Sequence, residues 1–187
     1  IEGFPVKFNK INTATLLSLG LVSFSTFAQV ENNMGEVNFT GSIIDAPCSI
    51  SSDTVKQDVE LGAISHSMLE SNGTSTPTAF TIKLENCALE DDTAGGSRLK
   101  NGVNITFTGR QNETDKSLLA LDGEAKGAGV VLTDGMQKVI PLGEATPLGT
   151  LTQGTNNIKF YAYLKGADKN ITTGEFTSNA SFTLDYD

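Results

Sequence analysis

G-E-V-N-F-T-G-S-I-I-D-A-P-C, residues Gly35 to Cys48, is the stretch from which the fold is read. Gly35, Val37, Phe39 and Gly41 fall on one face, and Glu36, Asn38 and Thr40 on the other. That period of two belongs to a half-buried β-strand. No turn signal joins this strand to a following one, so it is free to complete a sheet other than its own. Ile43 and Ile44 then break the alternation, which marks a bend or a change of face before Asp45, Ala46 and Pro47 lead into Cys48.

Upstream, residues 1–28 have the anatomy of an export signal. Lys7 and Lys10 form a positive n-region, Ala14 to Ala28 carries no charge, and Thr26 and Ala28 stand at the −3 and −1 positions of a cleavage site. The apolar run is shorter than the ~20 residues that span a bilayer. Ile1 to Pro5 fit no part of this signal, which makes Val6 the expected initiator position. Cleavage after Ala28 leaves 159 of the 187 residues.

The charge balance, 13 basic against 22 acidic residues for a net of −9, argues against a nucleic-acid partner, since a polyanion is repelled. It fits solvated faces and solubility. Cys48 and Cys87 lie 39 positions apart, neither in a C-x-x-C pair, and His66 is the single histidine. A Cys/His zinc site therefore lacks its ligands. Counting leaves a catalytic cysteine–histidine pair open, but in an exported chain two cysteines favour a disulfide. Such a bridge constrains the unfolded chain by roughly 4 kcal/mol on the entropic account.

The remainder reads as short strands. Asp58 to Gly62 is predicted as a brief strand and Ser65 to Leu69 as one helical turn, broken by Ser71, Asn72 and Gly73. Thr78 to Cys87 places Phe80, Ile82 and Leu84 on one face, so a bridge from Cys87 to Cys48 joins two strands. Glu90 to Gly102 reads as a loop, Val103, Ile105 and Phe107 mark the next strand, and Gln111 to Gly127 reads as a polar connection. Asp134-Gly135 between Gly129–Thr133 and Gln137–Pro141 is a hairpin signal. Asn157 to Lys165 turns Ile158, Phe160, Ala162 and Leu164 inward. The last strand runs from Glu175 with Phe176, Ala180, Phe182, Leu184 and Tyr186 on one parity. Strands at this spacing, without a long amphipathic helix, indicate an all-β sandwich.

Motifs for chemistry are missing. Gly123 to Gly129 has glycines and a lysine without the spacing of a phosphate-binding loop. No G-x-S-x-G elbow occurs, and Asp91-Asp92 lacks the alternating ligands of a calcium loop. Tryptophan is absent and tyrosines number three, which counts against a lectin pocket. The notable features are topological: the last strand has no partner after it, and the Gly35–Gly41 strand stands unpartnered at the other end. Exposed strand edges are association sites.

Three motifs carry a family resemblance: G-S-I-I-D-A-P-C-S-I (Gly41 to Ile50), the K-L-E-N-C that ends at Cys87, and a C-terminal pattern with Gly174 fourteenth from the end and Tyr186 next to last. The chain resembles the pilin subunits of chaperone–usher fimbriae, especially the major shaft subunits of P and type 1 pili. The resemblance implies an immunoglobulin-like β-sandwich lacking its seventh strand, completed in trans by donor-strand complementation. Residues 29–41 are then the donor extension and 42–187 the pilin domain, with the Cys48–Cys87 disulfide inside it. Asn33, Gly35, Val37, Phe39 and Gly41 become the donor positions. Gly174, Phe176, Ala180, Phe182, Leu184, Tyr186 and the carboxylate-bearing Asp187 become the acceptor groove and chaperone-binding residues. The implied partners are neighbouring pilins, a periplasmic chaperone and an outer-membrane usher, at the cell surface. No cofactor, metal or catalytic residue is implied. A minor adaptor or terminator pilin shares the fold and is the alternative. A carbohydrate-binding tip adhesin fits less well, because adhesins usually add a lectin domain and lack the extension.

Overall fold

The computed structural model describes residues 36–89 and 102–186. The expected signal peptide, Asn33, Gly35, Asp187 and all of the predicted loop from Glu90 to Gly102 except its last residue lie outside the described residues. The chain divides into two compact units, Ile1–Ser42 and Ile43–Asp187. Of the first, residues 36–42 enter no helix or strand, and Val37 and Phe39 are 72% and 92% exposed.

The second unit has ten strands among the described residues. These are β1 (Ser49–Ile50), β2 (Thr78–Cys87), β3 (Gly102–Gly109), β4 (Leu119–Ala120), β5 (Asp122–Gly123), β6 (Ala128–Thr133), β7 (Thr146–Thr150), β8 (Gly154–Gly166), β9 (Phe176–Thr177) and β10 (Ala180–Tyr186). Two single helical turns, α1 (Ser52–Val55) and α2 (His66–Leu69), lie between β1 and β2. One sheet has the order β1-β2-β8-β6-β4, a second the order β10-β3-β7, and β5 pairs with β9. All of these pairings are antiparallel.

Alternation decides which residues meet. Ile82 and Leu84 of β2, Phe160, Ala162 and Leu164 of β8, and Val103, Ile105 and Phe107 of β3 are buried as their parity predicts. Phe80 sits opposite Phe160 in the β2–β8 ladder, and Phe182 opposite Phe107 in the β3–β10 ladder. The two aromatic pairs interlock across the gap between the sheets. Phe80 stacks on Phe160 at 5.4 Å, while Phe107 meets Phe160 at 5.5 Å and Phe182 at 6.1 Å. Aromatic pairs at such offset and edge-on geometry add about 0.5–1.5 kcal/mol each beyond area burial.

Cys48 and Cys87 form the disulfide, tying the residue before β1 to the end of β2. The Ala88 N–H donates to the Pro47 carbonyl at 2.8 Å beside it. The predicted helical turn is α2, and Ser71 and Asn72, both at positive φ, follow it.

Four local expectations need correction. Asp58 to Gly62 joins no ladder, and Gly62 at φ 72° turns the backbone out of the conformation a strand needs. Gln111 to Gly127 is not simply a polar connection: Leu118, Leu119, Ala120 and Leu121 are all buried and build β4 and the approach to β5. Their unbroken apolar run has no period of two, so alternation could not reveal it. Leu118 covers Gly129, where a β-carbon would come within 2.7 Å of the Leu118 Cβ. Only glycine allows that approach.

The Asp134-Gly135 hairpin closes with the Gln137 N–H donating to the Asp134 carbonyl at 3.0 Å and Gln137 at φ 64°, and Asp134 Oδ1 accepts from the N–H groups of Met136 and Lys138 at 2.9 Å each. Its return arm forms no named strand and is held by a bridge between Thr133 and Val139, the Asp134 N–H bond to the Lys138 carbonyl and the Ile140 N–H bond to the Leu132 carbonyl. The last strand is broken in two. β9 and β10 are separated at Ser178 and Asn179, where the Ser178 hydroxyl donates to the Ala120 carbonyl at 2.8 Å.

Candidate functional site: an open cleft between strand edges

β10 is an edge strand. β3 lies along one side of it, and no described strand lies along the other. Residues 57–64 form a second edge: they belong to no helix or strand, turn through Gly62 at φ 72°, and among the described residues none of their backbone groups makes a backbone–backbone hydrogen bond. A Gln57 side-chain bond to the Thr81 carbonyl, at 3.3 Å, holds the start of this segment against β2. Unpaired backbone N–H and C=O groups need partners wherever they are withdrawn from water.

Both edges border one cleft of about 1280 Å³. Val59, Leu61 and Ile64 line one border, and Phe176, Ala180 and Phe182 another. Phe107, Leu132, Ala162 and Leu164 are among the buried residues beneath. Its charged lining residues (Lys56, Asp58, Glu60, Lys126 and Glu175) and His66 are exposed. The cleft is larger than the ~300–1,000 Å³ usual for small-molecule sites. The seven residues of β10 offer an edge of roughly 24 Å at strand rise. An apolar trough with free main-chain edges has the chemistry to take up an extended, alternating peptide.

One end of the cleft is built by β5 and β9. Gly174 has φ 151°, and a β-carbon there would come within 2.5 Å of the Glu124 Cβ and 3.0 Å of the Ala125 N. That conformation lets the Glu175 carbonyl accept from the N–H groups of Glu124 and Ala125, at 2.9 and 3.3 Å. Lys126 and Thr172 exchange a pair of backbone hydrogen bonds alongside, and Lys126 Nζ reaches the Gly123 carbonyl at 2.9 Å. Arg110 anchors the same corner, donating to the Leu121 carbonyl at 2.7 Å and pairing with Asp122.

Of the residues assigned to an acceptor groove, Gly174, Phe176, Ala180 and Phe182 line the cleft together. Leu184 and Tyr186 lie further along β10, half-buried against the core and not among the cleft lining, and burial pushes the Tyr186 phenol pKa up. Gly41 is exposed with open space around it, as are Val37 and Phe39. Of the border formed by Val59, Leu61 and Ile64, the first two alternate within the sequence Asp58 to Gly62, without their role being visible there, and Ile64, off that parity, had no signal. Leu119 and Leu121, also in the cleft, had no signal beyond an apolar run. Among the described residues no group of three or more His, Cys, Asp or Glu is placed to hold a metal ion.

The class defined by these features is a two-sheet, disulfide-pinned sandwich with a strand-sized cleft left open along its edges. The sequence profile of the fimbrial protein family matches residues 37–187, and the chain belongs to that family. It is 43% identical to the Fimbria A protein of Serratia marcescens, over 97% of this chain and 99% of that protein. Identity to the Major MR/P fimbria protein of Proteus mirabilis is 40%, with the same two coverages. Among solved structures, the P pilus rod subunit PapA superposes with a TM-score of 0.65 at 32% identity, covering 76% of this chain and all of that one. A subunit from a chaperone–usher pilus rod superposes with a TM-score of 0.71 at 32% identity, covering 84% of this chain and 98% of that one. The fold is thus the immunoglobulin-like sandwich of pilus subunits.

Proposed function

We propose that this chain is the repeating structural subunit of a fimbrial shaft, and that it polymerises when residues 31–41 of one copy fill the open cleft of the next. It acts by assembly, not catalysis, and its working place is the cell surface. The observation that carries the reading is the cleft bordered by the free edge of β10 and by the unpaired backbone of residues 57–64, in a chain that also carries an exposed alternating segment. Strand addition satisfies the free main-chain groups, and alternate side chains enter the trough. Gly35, Val37, Phe39 and Gly41 share the inward parity, with Asn33 at its start. Val37 and Phe39 each contribute about 1.5–3 kcal/mol on full burial. Head-to-tail contacts that do not close into a ring generate an open filament.

Before assembly the same cleft needs a temporary occupant, because its apolar floor and free edges promote association. A periplasmic chaperone strand is that occupant in this reading, with Asp187 near the end of the clamp, and an outer-membrane usher is where exchange takes place.

Deleting Glu31 to Gly41 tests the reading. The shortened subunit still accepts a donor from others but cannot lend one, so it caps growth and forms no fibres alone. Fibres made by that variant alone would overturn the strand-lending mechanism. Electron microscopy of expressing cells with an antibody to this chain tests the shaft role: label along whole fibres supports it, and label confined to tips or bases assigns an adaptor or terminator.

A further inference from the structure

The sequence step that interrupts the alternation after Gly41 is two adjacent isoleucines, and the structure leaves both in water. Ile43 is 104% exposed and Ile44 58%. Neither is packed against the core, although Cys48, four residues beyond Ile44, is 2% exposed. Adjacent β-branched apolar residues held this open invite a partner.

Their position along the chain says which partner. The chain is pinned to its own domain at Pro47, whose carbonyl accepts from Ala88, and at Cys48 by the disulfide. Between that anchor and Gly41, the last donor residue, stand only residues 42–46. Six virtual bonds from Gly41 to Pro47 span at most about 21 Å. When residues 31–41 lie in a neighbour's cleft, the two folded domains are therefore held within a strand's length of each other. Ile43 and Ile44 sit midway along that short connection, between the two domains it joins.

Resting on the strand-lending reading, we propose that Ile43 and Ile44 form an apolar contact with the second copy of the chain at the rim of its cleft, separate from the donor positions inside it. This contact holds the joint between successive subunits closed. It makes each junction depend on two surfaces: the strand in the cleft and the isoleucine pair at its mouth.

The test compares fibres of the unmodified chain with fibres of Ile43→Ser/Ile44→Ser and of Ile43→Leu/Ile44→Leu, following dissociation in denaturant. The serine pair is expected to dissociate about tenfold faster or more, as losing apolar burial of even one such side chain implies, and the leucine pair close to the unmodified rate. Two controls separate the possible failures. A synthetic peptide of residues 31–41 is titrated into the domain that lacks its own extension; no binding there sinks the strand-lending reading and this proposal with it. Binding with unchanged fibre dissociation in the serine variant overturns the isoleucine contact alone. A lower melting temperature for the peptide-filled, unpolymerised serine variant places the isoleucines on their own domain and overturns the contact as well.

Discussion

Phe107 and Phe160 meet edge to face across the two sheets, ring centroids 5.5 Å apart and planes at 87°. Phe160 is fully buried, and Phe107, almost as buried, also lines the cleft. The centre of the sandwich and the floor of the binding trough are thus continuous. On the strand-lending reading, stability and donor recognition share side chains here.

That continuity separates two substitutions. Phe160→Ala is expected to lower domain stability by about 3–5 kcal/mol, the cost of truncating a buried aromatic. Phe107→Ala should cost a similar amount and also change the trough itself. Urea unfolding with saturating donor peptide, alongside peptide affinity, distinguishes them. Equal effects on affinity per unit of lost stability would show that Phe107 has no separate role in the cleft.

Gly174 controls how β9 docks at the end of the cleft. Its φ of 151° and the nearness of Glu124 leave no room for a side chain. Gly174→Val is expected to cost about 1–3 kcal/mol through strained backbone and to weaken donor binding, because the Glu175 carbonyl loses its two N–H partners. Isothermal titration with the 31–41 peptide reads the second effect. Full affinity in this variant would detach the β5–β9 corner from the groove.

Removing the disulfide with Cys48→Ser/Cys87→Ser should reduce stability by about 4 kcal/mol, from the loop of 39 positions it closes. On the strand-lending reading, the domain without a donor has an unfilled cleft and correspondingly less to lose. The expected result is a variant that is unfolded alone but recovers cooperative melting as donor peptide is added, since a ligand that binds only the folded state stabilises by mass action. A doubly substituted domain that melts like the unmodified one, with no peptide, would contradict this.

Asp115 gives a pH dependence with a definite sign. The Ser117 hydroxyl donates to it at 2.6 Å and the Ser117 N–H at 3.0 Å, and Lys165 of β8 lies 3.2 Å away. Its carboxyl pKa is lowered chiefly by the Ser117 hydroxyl bond, then by the Ser117 backbone bond and Lys165, against an opposing burial effect. A depressed folded value means that the carboxylate's stabilisation is fully present above the ordinary carboxylate range and is lost as pH falls through the folded value. Asp115→Asn should therefore destabilise at neutral pH and converge on the unmodified domain in strong acid. A constant difference across that range in pH-dependent urea midpoints would refute the assignment.

Main-chain recognition predicts a backbone effect independent of side chains. Donor peptides N-methylated at two alternate positions keep every side chain but lose two N–H donors and gain steric bulk. Affinity should fall for methylation on either parity if the donor lies between β10 and residues 57–64. A loss on one parity only would mean that a single edge is used.

Much of the fold was legible because alternation is a local property. β2, β3 and β8 follow from Phe80-Ile82-Leu84, Val103-Ile105-Phe107 and Phe160-Ala162-Leu164, since a side chain's face in a strand depends on parity and nothing more distant. Export, the pairing of Cys48 with Cys87 and the spare alternating segment were accessible for the same reason: each rests on residue type and order. Which strands neighbour one another is not local. That Val59 and Leu61 would border a cleft with Phe182, that Leu119 and Leu121 would line it too, and that the last strand would break at Ser178 depend on contacts among residues far apart in the chain. Periodicity carries no information about such neighbours, because it says which way a side chain points and leaves open what it meets there.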